Sequence, residues 1–238
     1  MASARRRGRG LCLSAGSHRR ERAPARAATV DAMTIDPNQH DRFILRQRIR
    51  PVINQYEITL PGPDGTSPGE PVAFVEQARF KFKEDIRFYT DDSKREELMR
   101  LKARQAFDPR ARYDVTDANG TKIGEIQKAF GESLLRSTYR IYDPAGEETA
   151  TAREKSLPVA LFRRAVDFAP YVGDVAEWLP IPYHFVFLRD GQELGVNSRQ
   201  TFKFRDTYTI DMSADPERTL DRRLVLALAV GQDALQAR

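Results

Sequence analysis

The 238-residue sequence predicts a mainly β protein, a closed antiparallel β-barrel around one buried C-terminal α-helix. Three observations carry this. Turn dipeptides separate short apolar runs, apolar and charged residues alternate with a period of two, and the last helical stretch holds an apolar run with no polar face.

The extended segments begin at Arg42. Phe43-Ile44-Leu45 and the stretch from Ile49 to Leu60 read as strands, closed by a loop of turn residues from Pro61 to Pro71. From Phe74 to Phe88 the even positions are largely apolar (Phe74, Ala78, Phe80, Phe82, Ile86, Phe88). The odd positions include Gln77, Arg79, Lys81, Lys83, Asp85 and Arg87. This alternation predicts one half-buried strand or two strands in line. It also puts Glu76 and Glu84 on the apolar face, where each carboxylate needs a basic partner or a place at the barrel rim.

Three later segments share one pattern. Tyr113–Asp117 leads to Asn119-Gly120, Tyr139–Asp143 leads to Pro144-Ala145-Gly146, and Phe185–Arg189 leads to Asp190-Gly191. Asn-Gly and Asp-Gly readily adopt the positive φ angles of tight hairpins, so consecutive antiparallel hairpins are expected. Phe202, Phe204, Tyr208 and Ile210 mark a further alternating strand, with Lys203 and Arg205 between them. Pro158–Ala169 reads as a short amphipathic helix, followed by an irregular, proline-punctuated stretch around Trp178.

The terminal helix is expected to be capped by Asp215, with Pro216 in its first turn, and to run to about Leu235, near 30 Å in length. Its centre, Leu224-Val225-Leu226-Ala227-Leu228-Ala229-Val230, is apolar all round and so must be buried on every side. A bilayer span needs about 20 apolar residues. Here Arg222-Arg223 and Gln232-Asp233 bracket the run, so no transmembrane span is expected. A sheet closed around the helix supplies the burial instead.

The net charge of +5 is unevenly placed. Residues 1–32 contain eight arginines against Glu21 and Asp31, a local charge of +6, which leaves −1 for residues 33–238. This leader has too few large apolar residues to pack and is expected to be a disordered segment preceding a single barrel domain, residues 40–238. It lacks the apolar core of a secretory signal. A transit peptide matches its composition but not its periodicity, a nucleic-acid arm would use its arginines, and a start at Met33 would remove it altogether. The near-neutral body argues against nucleic acid as a partner of the folded domain.

Catalytic signatures are not found. The body has no cysteine and only His40 and His184, far apart in sequence, so neither a metal centre nor a cofactor is expected. Ser133 and Ser137 have no histidine nearby in sequence and no nucleophile elbow, and no phosphate-cradling glycine loop occurs. The chemical candidate is a set of outward basic rows: Lys81, Lys83 and Arg87; Arg100, Lys102 and Arg104, opposite Met99, Leu101 and Ala103; and Lys203 with Arg205. If their strands are neighbours, the rows form a patch for phosphoinositide or other anionic lipid heads. The bland alternative is a solvated strand face, offset by acids such as Asp85, Glu96 and Glu97.

The run Lys102-Ala103-Arg104-Gln105, Tyr113-Asp114-Val115-Thr116-Asp117, Ile123-Gly124, Lys128, Ser133-Leu134-Leu135-Arg136-Ser137, Tyr139 resembles the LURP-one-related family. So does the ending Asp221-Arg222-Arg223-Leu224 through Ala227-Leu228-Ala229-Val230. The resemblance spans about residues 42–236 and places the chain with tubby C-terminal domains and phospholipid scramblases. It implies about twelve strands threaded by the C-terminal helix, and lends support to lipid binding, although no tubby binding motif matches residue by residue. The expected function is a non-enzymatic binding or scaffold module, cytoplasmic and peripheral at the membrane, with anionic phospholipid and an unidentified protein as partners. The alternatives are a scramblase-like transporter and an enzyme with an unrecognised pocket.

Overall fold

Twelve antiparallel strands hydrogen-bond in sequence order, and the first pairs with the last, so the sheet closes into a barrel. The computed structural model describes residues 35–48, 53–78, 85–104, 112–129, 137–155, 184–200 and 207–236. The leader, the expected helix at Pro158–Ala169, Trp178 and the expected strand residues Phe202 and Phe204 lie outside these residues. The strands are β1 (Arg42–Arg48), β2 (Ile53–Pro61), β3 (Pro68–Ala78), β4 (Asp85–Tyr89), β5 (Glu97–Ala103) and β6 (Arg112–Asp117). They continue as β7 (Lys122–Ala129), β8 (Thr138–Tyr142), β9 (Glu148–Glu154), β10 (His184–Arg189), β11 (Gln192–Arg199) and β12 (Thr207–Asp211). The single described α-helix, α1, spans Arg222–Gln236.

The hairpin signals are met. Asp190 and Gly191 both have positive φ (50° and 81°) and join Arg189 to Gln192 in a two-residue turn, while Gly120 and Gly146 take φ of 82° and 94° in theirs. The segment from Phe74 to Phe88 is corrected. It is neither one strand nor two in line, because β3 and β4 lie side by side with Val75 opposite Phe88 and Gln77 opposite Ile86. The chain reverses between them, so parity read across the reversal fails. In β3 the core cluster takes Val72, Ala73 and Val75, and Phe74 and Glu76 occupy the other face. There Lys94 Nζ donates to Glu76, which also accepts from Gln55 Nε2 at 3.0 Å, while Arg48 lies over the Phe74 ring at 5.4 Å.

The helix fills the barrel. Every residue from Leu224 to Val230 is at most 3% exposed, and these side chains share one apolar cluster with Phe43, Tyr56, Phe88, Val115, Ile141 and Phe187. Close approach requires glycine at Gly124, where a Cβ would stand 2.9 Å from Leu224 Cδ1 and collide with the Tyr142 carbonyl. Gly124→Ala is therefore expected to lower stability by about 1–3 kcal/mol, measured by urea denaturation, because backbone on one side cannot yield.

The helix begins later than expected. Asp215 is not its cap. The chain turns at Arg218 (φ 53°), and Asp221 accepts from Arg223 N at 2.8 Å at the true N-terminus. Fifteen residues give α1 about 22 Å. Asp215 has the acceptor chemistry of a cap but spends it on the turn, taking Thr219 N and Leu220 N at 3.0 Å each.

The guanidinium of Arg222, wholly buried, reaches Asp215 Oδ2 at 2.8 Å, the Asp215 carbonyl at 2.8 Å and Asp41 Oδ1 at 3.0 Å. Asn38 Oδ1 accepts from Arg222 N at 2.8 Å. One arginine thus ties the segment before β1 to the start of the helix. Burial pushes the Asp215 carboxyl up, but Arg222 and the Leu220 and Thr219 donors outweigh it and hold it at about 2. An unfolded aspartate titrates near 3.9. The resulting stabilisation, about 2–3 kcal/mol, is present in full above about pH 5 and is lost as pH falls through 2. Urea midpoints should accordingly drop between pH 5 and pH 2, and Asp215→Asn should flatten that slope.

Candidate functional site

The outward face of β4–β8 gathers the basic residues that the sequence singles out and the structure describes. Arg100, Lys102 and Arg104 alternate with buried Met99, Leu101 and Ala103, as expected for an outward row. Arg87 stands directly opposite Arg100 in the β4–β5 register. Lys81, Lys83, Lys203 and Arg205 lie outside the described residues.

Carboxylates interleave with these cations. Arg100 grips Asp85 with two nitrogens, at 2.6 and 2.5 Å, and Arg87 lies 3.7 Å from Asp85 and 3.8 Å from Glu97. Arg104 bridges Asp114 at 2.7 Å and Glu125 at 2.5 Å. The Asp114 carboxylate, then burial and Glu125, set the Arg104 guanidinium; the two carboxylates prevail and raise its pKa. Glu125 is only 3% exposed and also binds Arg112 at 3.1 Å and Lys122 at 2.5 Å. Burial pushes its carboxyl up, while Lys122 and Arg104 pull it below the ordinary range, so it stays ionised. Arg112 stacks on the Tyr142 ring at 5.0 Å, and Tyr142 Oη donates to Gln127 Oε1 at 3.1 Å.

Lys102 differs from its neighbours. It is exposed, with Asp85 and Asp114 as its cross-strand positions, and both carboxylates are engaged by arginines. Arg112 and Lys122 are members of the face that the sequence does not single out, since only the β5–β6–β7 register brings them beside Arg104. Cations remain in excess: Arg87, Arg100, Lys102, Arg104, Arg112 and Lys122 face Asp85, Glu97, Asp114 and Glu125.

A second feature, a cleft of about 240 Å³, lies where the turns after β6 and β8 meet the start of α1. Ile123, Leu220 and Leu224 contribute its apolar lining. Its carboxylates serve the local fold: Asp117 accepts from Asn119 N and Thr121 N, Asp143 from Glu147 N, and Asp221 caps the helix and binds Arg223 at 2.6 Å. Among the described residues no cluster of three or more His, Cys, Asp or Glu side chains could hold a metal ion, and no helix is long and apolar enough to cross a membrane.

Fold and surface together define a class of protein: a β-barrel packed with its own helix, with a described charged face on the outside of β4–β7. The chain belongs to the LURP-one-related family, whose model matches residues 72–233, and so to the barrel proteins of the tubby-like superfamily. No curated protein and no solved structure matches the chain significantly.

Proposed function

We propose that this LURP-one-related barrel is a non-enzymatic binding module that docks on anionic phospholipid headgroups, phosphoinositides among them, through the outward basic face centred on β5. The observation that carries the reading is the excess of cations over carboxylates across β4–β7, with Lys102 exposed in their midst. Arginines held by Asp85, Asp114 and Glu125 keep fixed orientations and still present N–H groups to a phosphate oxygen. The membrane association that this implies is peripheral and reversible by salt.

The test is vesicle sedimentation with the full chain in a background where the eight leader arginines are glutamine, so that the leader cannot supply the attraction. Binding to vesicles containing phosphatidylserine or a phosphoinositide is expected at low salt and should fade as salt rises. Lys102→Glu should weaken it by about thirtyfold, since each basic residue near an anionic surface is worth about 1 kcal/mol and the change reverses one charge. The melting temperature should not move. Absence of sedimentation at low salt would overturn the reading.

A further inference from the structure

The up-and-down topology sorts the connections between strands into two sets, one at each end of the barrel. At one end lie the described turns 62–67, 90–96, 118–121, 143–147 and 190–191, together with the segment 212–221 that enters α1. These carry ten carboxylates and three cations. The opposite end is reached by the final residues of β1, β3, β5, β7, β9 and β11 and the first residues of β2, β4, β6, β8, β10 and β12. The two terminal residues of each strand at that end, with the described residues just beyond them, include eight Lys or Arg residues and two carboxylates. Neither carboxylate is open to a partner, since Asp85 is gripped by Arg100 and Glu154 is 3% exposed. Four of the cations, Lys102, Arg104, Arg153 and Lys155, are exposed, two at the end of β5 and two at the end of β9, well apart around the rim.

We infer that the barrel meets an anionic bilayer end-on, basic rim toward the headgroups and the acidic, turn-bearing end facing away. This rests on the proposed lipid docking and gives it a geometry. A seven-residue strand such as β1 spans about 23 Å. The Debye length at physiological salt is about 8 Å, so the acidic end does not cancel the attraction felt at the rim. It does orient the approach, because a molecule with separated charge turns its positive pole to a negative surface before contact. A rim with cations on separated strands also suits a flat array of phosphates better than one strand face, where the arginines are held by carboxylates. Lys102 and Arg104 belong to both surfaces, so the strand face of β5 meets the membrane at its rim end.

The experiment attaches one environment-sensitive fluorophore to the full chain, with Cys12→Ser and glutamine for the eight leader arginines. Single cysteines are placed by Ser198→Cys, near the basic rim on β11, or by Ala145→Cys, in the acidic-end turn after β8. Vesicles of phosphatidylcholine and phosphatidylserine carry a headgroup quencher. Sedimentation with quenching several-fold stronger at position 198 than at 145 is the expected result, and Lys102→Glu with Lys155→Glu should reduce both sedimentation and that quenching by at least tenfold. Sedimentation with equal or reversed quenching would overturn the end-on geometry while leaving lipid docking in place. Absence of sedimentation would overturn both. Tighter binding to mixed-sequence single-stranded RNA than to the vesicles would overturn the choice of a bilayer as partner.

Discussion

Replacing Ala229 by arginine is expected to leave no soluble folded protein. Ala229 is 1% exposed in the middle of a run in which no residue exceeds 3%, and the helix is surrounded by inward-facing strand residues. A guanidinium there would have neither water nor a carboxylate within the apolar cluster, and burying an unpaired charge costs more than a domain's whole stability of about 5–15 kcal/mol. Circular dichroism and sedimentation of the expressed variant check this, with Ala229→Ser as the mild counterpart. A cooperatively melting Ala229→Arg protein would mean that the helix does not occupy the barrel interior.

The second large effect is expected from Arg222→Met. Methionine fills similar volume but leaves the 3%-exposed Asp215 carboxylate without its cation and deprives Asp41 of one of its two arginines. Breaking a buried pair from one side costs about 3–5 kcal/mol. Asp215→Leu combined with Arg222→Met should recover part of that loss, because the uncompensated charge disappears with its partner. Chemical denaturation of the four proteins in this cycle gives the coupling directly. A double variant no better than the worse single one would show that the Thr219 and Leu220 hydrogen bonds to Asp215, not the ion pair, dominate.

The architecture was legible where local chemistry decides structure. Asn119-Gly120 and Asp190-Gly191 announce their turns, and the run from Leu224 to Val230 announces a helix enclosed on all sides. It was illegible where one residue type serves two purposes. Asp215 followed by proline resembles a helix start, yet its oxygens are recruited by a turn and by Arg222. Arg222 itself reads only as one of two charges bracketing an apolar run, because nothing local foretells that Asp41, 181 residues earlier, will meet it. Alternation from Phe74 to Phe88 misassigned the β3 face because periodicity cannot register an intervening reversal. On the basic face the members of one strand were visible as a row. Arg112, Lys122 and the compensating Glu125 required the pairing register of three strands.

The order in which the chain is made adds a last consequence. The element that fills the barrel follows all twelve strands in sequence, and the seam that closes the sheet joins Arg42 to Asp211. A ribosome therefore releases strand after strand with inward-facing Phe43, Tyr56 and Phe88 still lacking their central partner. Closure must wait until β12 and α1 have been made, and contacts so distant in sequence form slowly. Until then the nascent sheet has open hydrogen-bonding edges and a bare apolar face, the combination that recruits chaperones or, at high expression, drives aggregation. Yield in cells should thus respond to translation speed and chaperone supply more than to small changes in the stability of the finished barrel.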